Sequence, residues 1–313
     1  MADFVIIPDA SSDLTKQLRD RFDIPYYIKG TLYLPDGTET PIGLDWELMN
    51  PTEYYNSMSG RKVLYKTASA RRQDIIAAFE PALKEGKDIL SITLSSGLSG
   101  TYQICQKVAQ ELMEQYPERK IIVIDSLRYS TALSLLVIMA SQKRQEGATL
   151  EQTAAFVEEN KHTVHQIGPM DDLFFLVKTG RISNFKAFFG TLVGINPMAD
   201  FNRQGLAQVL AKFKGKQRAF DAVIEYMRGT IENPQDQIIF VAHSNREQAA
   251  QILAERVQKE FNPKEIIINP VGISCGASIG PGLCAVFYQG AQISENMEKE
   301  QALMDTIVAN QKR

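Results

Sequence analysis

Histidine is scarce in this chain. Its 313 residues hold three, His162, His165 and His243, so a Ser–His–Asp triad has few candidates for its base. No glycine is followed five residues later by Gly-Lys-Ser or Gly-Lys-Thr, which excludes the phosphate-loop class of nucleotide binding. Cysteine is as sparse. Cys105, Cys275 and Cys284 are odd in number and lack the paired spacing of a zinc site, which fits small core residues in a reducing compartment better than a disulfide framework. His162 and His165 stand three apart, but no Glu or Cys completes a metal set, so both read as surface histidines, and neither a metal nor another cofactor is expected. His243 follows an apolar strand and reads as a structural or loop residue. An excess of charge of one sign is also missing: 34 Lys and Arg against 37 Asp and Glu give a net charge of −3, with basic residues scattered, so nucleic acid is not an expected partner. Long hydrophobic runs are lacking too. The richest, residues 132–140, is interrupted by Ser134 and falls short of the ~20 residues that span a bilayer. Residues 4–7 are too short for a signal-peptide core, and Asp3 precedes them. A cytoplasmic protein without a membrane span is expected.

What is present is strand alternating with helix, the pattern of a mostly parallel sheet covered on both faces. Residues 4–7 read as a strand, 13–22 as a helix and 24–28 as a second strand. Residues 32–34 and 39–42 form a hairpin across Pro35-Asp36-Gly37. Asn50, Pro51 and Glu53 announce a helix. Helix over 72–85, strand over 88–94, helix over 101–116, strand over 120–124 and a buried helix over 130–145 follow, and Thr149 with Gln152 opens another helix. In the second half, 164–167 is a strand, 173–178 helical, and Ser183 caps a helix lined by Phe185, Phe188, Phe189 and Leu192. Residues 195–200 and 206–213 pair as a hairpin, 216–228 is a helix, 237–242 a strand, 246–260 a helix, and 265–269 and 283–288 strands. The expected organisation is an N-terminal α/β domain over 1–160, a C-terminal α/β domain over 161–290, and a helical extension over 291–313 whose Ile293, Met297, Met304 and Val308 form one apolar stripe. Lys212, Lys214 and Lys216 read as a solvated strand-to-helix edge.

Chemistry concentrates in the turn Ser95-Ser96-Gly97-Leu98-Ser99-Gly100-Thr101, between a strand and a helix. Gly97 and Gly100 let a ligand approach the backbone, and the turn delivers free amides of a helix N-terminus. An anion suits it. Residues 9–12, 67–69 and Asp125-Ser126 also follow strands, where open α/β sheets gather ligands. Such a set hydrogen-bonds a polar head without offering a strong base. Taken singly, Thr67 and Ser96 read equally well as helix caps, and Arg181 as a partner for Asp171 or Asp172.

The ordered motifs Asp9-Ala10-Ser11-Ser12-Asp13-Leu14, Thr67-Ala68-Ser69, Leu94 through Gln103, Lys178-Thr179-Gly180-Arg181-Ile182-Ser183, His243-Ser244 and Gly280-Pro281-Gly282 together resemble the DegV family over about residues 4–290. The resemblance implies two α/β domains, the N-terminal one with a mostly parallel sheet and helices on both faces, the C-terminal one with a mixed sheet. It further implies a long-chain fatty acid held between the domains, with its carboxylate on loop hydroxyls. In some members the protein presents that fatty acid to a separate fatty-acid kinase, which makes an acyl phosphate for phospholipid synthesis. The chain would then carry substrate and not be an enzyme by itself. Carried over by motif, the carboxylate-binding set is Thr67, Ser95, Ser96, Gly97, Arg181 and Ser278, with no catalytic residue. Ser278 and Ile279 stand where the family pattern has His and Thr. A serine can donate a hydrogen bond but not carry charge near neutral pH, so lipid binding is expected to survive this exchange more readily than phosphotransfer. Thr67-Ala68-Ser69-Ala70 replaces Thr-Ser-Gln-Pro, and Pro8-Asp9-Ala10 replaces Thr-Asp-Ser. Two other readings compete: an enzyme acting on a small phosphorylated or acyl substrate, with residues 95–101 cradling its anion and Arg181 stabilising charge, and a scaffold whose tail helix recruits a partner.

Overall fold

The computed structural model describes residues 4–183 and 195–311. The chain forms two compact units. The first comprises Met1–Asn50, Leu64–Lys161 and Gly272–Cys275; the second comprises Pro51–Val63, His162–Val271 and Gly276–Arg313. The division is therefore not a single cut near residue 160, because a helix from the first half and a short segment from the second change sides.

In the first unit, β1 (Phe4–Pro8), β5 (Asp88–Thr93) and β6 (Ile121–Asp125) lie parallel in the order β1-β5-β6. The strands are apolar on both sides because both faces are covered. Val5 and Ile7 join the core made with α3 (Arg72–Lys84) and α4 (Thr101–Gln115), where Phe79, Val108 and Leu112 are buried. Ile6, at the alternate position, is fully buried, and β1 and β5 also pack on α5 (Thr131–Gln145), which in turn packs on α6 (Leu150–Asn160). Residues 132–140 are buried throughout, as the apolar run requires. Helix α6 starts with a capping box: Thr149 Oγ1 accepts from the Gln152 amide at 3.2 Å and Gln152 Oε1 from the Thr149 amide at 2.9 Å. The expected hairpin is β2 (Gly30–Tyr33) with β3 (Glu39–Ile42), and β2 also pairs with the short β4 (Lys66–Ala68), making a small antiparallel sheet.

In the second unit, β11 (Ile238–His243) pairs parallel with β12 (Glu265–Pro270) and antiparallel with β13 (Cys284–Gln289), which pairs antiparallel with β7 (Val164–Ile167). This is a mixed sheet in the order β12-β11-β13-β7. Helix α9 (Glu247–Phe261) packs on it, and α8 (Lys216–Thr230) packs on α9 and β7. A second sheet holds β9 (Ile195–Phe201) and β10 (Ala207–Lys214) as the expected hairpin, with β8 (Ile182–Ser183) parallel to β10. Asn202 Oδ1 accepts the amides of Gln204 and Leu206 and so shapes the turn between β9 and β10. The unit also contains α2 (Pro51–Met58), α7 (Phe174–Thr179) and α11 (Glu298–Asn310). Ile293, Met297, Met304 and Ile307 are buried, with α11 against α8 and β10, so the tail is part of this unit's packing; Ile307 takes the place expected of Val308.

Several boundaries differ from expectation. Residues 24–28 make only one bridge, Ile28 to Asp9, because Pro25 has no amide to donate to a ladder. The first helix, α1 (Lys16–Arg21), begins later, capped by Thr15, since Asp13 lies at φ 58° and cannot enter a helix. Residues 273–279 form an unexpected helix, α10 (Ile273–Ile279); its glycine and serine content reads locally as loop. Gly276 is required there by close approach, since a Cβ would meet the rings of Tyr54 and Tyr55. The helix expected after Ser183 lies outside the described residues.

Gly168, just after β7, admits no side chain: a Cβ would collide with the Cys284 carbonyl oxygen and the Ala285 Cα. Both obstacles are backbone. Gly168→Ala is expected to destabilise the protein by about 3 kcal/mol or prevent folding, read as a drop in melting temperature; unchanged melting would show that β13 can shift freely.

Candidate functional site

The loops at the carboxyl ends of β1, β5 and β6 converge, and hydrogen bonds hold them. Asp9, after β1, is buried. Its Oδ1 accepts the Ser11 amide at 2.8 Å and also the Ser11 hydroxyl, while its Oδ2 accepts the Leu94 amide at 2.7 Å. Burial raises its pKa against the lowering effect of these bonds. After β6, Asp125 Oδ1 accepts the amides of Ser96 at 3.0 Å and Leu127 at 3.2 Å. The Ser95 amide donates to the Arg128 carbonyl at 2.9 Å. Three loops thereby fix the course of residues 94–100.

Within this frame the hydroxyls divide into two groups. Ser95 Oγ, fully buried, accepts the Gly97 amide at 3.2 Å, so the Gly97 amide is engaged inside the turn. Ser69 Oγ bonds Ser99 Oγ at 3.1 Å and accepts the Gly100 amide at 3.0 Å. Thr101 Oγ1 bonds Ser99 Oγ at 2.9 Å and accepts the Ala70 amide at 3.1 Å. These three side chains sew the end of β4 to the start of α4. The hydroxyls of Thr67, on β4, and Ser96, in the turn, make no hydrogen bond among the described residues, and both side chains are half-buried. Neither acts as a helix cap: the residue before α3 is Arg71, and the residue before α4 is Gly100.

Two further residues stand beside this frame, neither of them in the expected carboxylate-binding set. Arg128 is fully buried, with Nη1 donating to the Leu127 carbonyl at 2.6 Å; an arginine following a strand-end Asp-Ser is the only hint in the sequence. Asp13 is buried too, and its Oδ2 accepts the Ser130 hydroxyl. Burial pushes its pKa up to about 7, outweighing the hydrogen bonds from Ser130 and the Gly272 amide that lower it; Asp9 raises it further. Both backbones are constrained, Asp13 at φ 58° and Ser130 at φ 55°. Cys275 Sγ donates to the Ser11 carbonyl at 3.5 Å. All three cysteines are free and buried, and burial holds their thiols above the ordinary range.

Arg181 and Ser278 belong to the second unit. Arg181 is half-buried, and its Nη1 donates to the Thr179 carbonyl at 2.5 Å. It pairs with neither aspartate: Asp171 is taken by Arg246, and Asp172 by Arg61 at 2.7 Å. Gly180, at φ 71°, ends α7 in the left-handed conformation that directs the chain into the Arg181 turn. Ser278 lies on α10, half-buried, and its hydroxyl makes no hydrogen bond among the described residues.

His165 is not at the surface. It is fully buried, with Nδ1 2.6 Å from Asp200 Oδ2 and Nε2 2.8 Å from the Ala291 carbonyl oxygen. Asp200 also accepts the Gln166 and Phe201 amides and the Tyr226 hydroxyl. The surface reading fails because β7 is covered on both faces, and Asp200 satisfies the ring where no water reaches. Among the described residues no group of His, Cys, Asp or Glu could hold a metal ion, and no helix is long and apolar enough to cross a membrane.

Fold and site together define a two-unit α/β protein whose strand-end loops present neutral donors and no metal cluster. The DegV family model, described as "Uncharacterised protein, DegV family", matches residues 3–291, and the chain belongs to that family. A DegV domain-containing protein of Clostridium perfringens is 34% identical over 290 residues, covering 93% of this chain and 98% of the relative. Among solved structures, a DegV family protein from Thermus thermophilus described by its fatty acid binding superposes with a TM-score of 0.81 at 24% identity, over 92% of this chain and 99% of the other. The Streptococcus pneumoniae fatty acid kinase B3 protein, loaded with linoleic acid, superposes with a TM-score of 0.77 at 21% identity, over 92% of this chain and 99% of the other.

Asp13 generates a pH prediction. A carboxyl whose folded pKa is raised from 3.8 to about 7 contributes stability that is present in full below about pH 4 and is lost as pH rises through about 7. Asp13→Asn keeps an acceptor for Ser130 without the charge. The melting temperature of the variant minus that of the wild type is expected to grow between pH 4 and pH 8; a difference that stays flat would show that Asp13 does not titrate in this window.

Proposed function

We propose that this chain binds a long-chain fatty acid and performs no catalysis of its own. In this reading the carboxylate is received in the first unit by the hydroxyls of Thr67 and Ser96. Ser95, Gly97, Arg181 and Ser278 stay in the proposed set on the family resemblance. One observation carries the reading: among the hydroxyls around this turn, those of Ser69, Ser95, Ser99 and Thr101 are committed to the protein's own scaffold, while those of Thr67 and Ser96 are left to donate outward. A carboxylate leaving water needs such donors, each contributing about 1.5–3 kcal/mol. Burying the tail at ~0.8 kcal/mol per methylene would outweigh the head over roughly a dozen carbons, so the hydroxyls chiefly set orientation. The relatives described as fatty-acid-binding support the ligand class, and the kinase B3 protein supports the further step of presenting the lipid to a separate fatty-acid kinase. Three buried free cysteines are consistent with a cytoplasmic setting.

Native mass spectrometry of freshly purified protein, followed by denaturing extraction, is expected to release a fatty acid. The double variant Thr67→Ala, Ser96→Ala is expected to bind added oleate at least about tenfold more weakly with unchanged melting of the lipid-free protein. Equal oleate affinity in the folded double variant would sink the head-group assignment, and a protein that neither carries nor takes up any fatty acid would sink the function.

A further inference from the structure

The second unit contains a cleft of about 610 Å³, within the range of small-molecule sites. Three helices begin on its wall, α2 at Pro51, α8 at Lys216 and α9 at Glu247. The residues preceding α8 and α9, Gly215 and Arg246, supply no side-chain cap, so their first amides lack the usual internal acceptor. The macrodipoles add partial positive charge at each start. Lys216, on the cleft wall, is exposed. The exposed Glu247 is the acidic group on that wall, and Arg246, opposite in charge, is already paired with Asp171.

His243 supplies an independent pointer. It ends β11 on the cleft wall and is 8% exposed. Its Nδ1 accepts the Arg246 amide at 3.3 Å, so in the neutral ring the proton sits on Nε2. Burial holds the imidazole pKa below its ordinary value, against a smaller raising effect of Glu247, which keeps the ring neutral near pH 7. Nε2 is thus an N–H donor with no acceptor among the described residues. A planar carboxylate presents acceptors in two directions. A phosphate presents them in all, matching donors that arrive from the starts of α8 and α9, one imidazole and one ammonium.

We propose that this cleft binds a phosphate-bearing small molecule, its phosphate meeting His243 Nε2–H, the Lys216 ammonium and the first amides of α8 and α9. The volume exceeds what a free phosphate fills, so an organic body occupies the rest. The site uses residues of the second unit alone and does not depend on the fatty-acid reading.

The test titrates lipid-free, full-length protein with inorganic phosphate and with AMP, following the His243 ring and the Glu247 and Gln248 amides by nitrogen-15 NMR. Both probes are expected to shift these signals saturably, AMP at lower concentration, and Lys216→Ala, an exposed change that leaves the fold intact, is expected to weaken AMP binding about tenfold while Lys216→Arg retains it. If neither probe moves the His243 Nε2 signal at millimolar concentration, the proposal is overturned. Equal affinity in Lys216→Ala, or shifts confined to other residues, would mean an adventitious ion only and would overturn it equally.

Discussion

The geometry of the first unit's site depends on one buried carboxylate. Asp9 uses one oxygen to hold its own loop at Ser11 and the other to hold the Leu94 amide, so the exits of two neighbouring parallel strands are tied at a single point. Everything downstream takes its direction from that tie: the turn at Ser95 and Ser96, its anchoring to Asp125, and the entry into α4. Burial raises its pKa, and the three donors that converge on it work against that rise. A buried polar group of this kind earns its place only when fully satisfied, and Asp9 is.

That tie explains why the site can be assembled from hydroxyls. Serine and threonine side chains are short and cannot search for a ligand; they donate usefully only where the backbone already points them. The committed hydroxyls of Ser69, Ser99 and Thr101 form the scaffold, and the uncommitted ones of Thr67 and Ser96 ride on it. Replacing a strong acid or base by such neutral donors suits recognition of an anion that must arrive and leave unchanged.

Much of the fold was legible. The parallel sheet of the first unit, the β2–β3 hairpin, the capping box at Thr149 and the core helix α5 all follow from local patterns, since periodicity and turn chemistry decide them. The failures share a cause: nonlocal packing overrode a local signal. Residues 273–279 look like loop until Gly276 is seen against two tyrosine rings, and His165 looks exposed until Asp200 is brought beside it from another strand. In the site, the residue types were legible through the motif resemblance, but which hydroxyls are free was not, because that depends on pairings between residues thirty positions apart, such as Ser69 with Ser99. Arg128 carried no local pattern, Asp13 was legible only as a member of the motif over residues 9–14, and the burial of both is tertiary.

The buried pairing of His165 with Asp200 has a kinetic meaning as well as a structural one. Both ring nitrogens face acceptors, the Asp200 carboxylate and the Ala291 carbonyl, and the ring is stacked on Tyr288 at 5.4 Å. A carbonyl can only accept, so Nε2 carries a proton. That proton is buried, and its exchange with solvent requires the contact between His165 and Ala291 to open. Its exchange rate therefore acts as an internal clock for how often the base of the C-terminal segment opens.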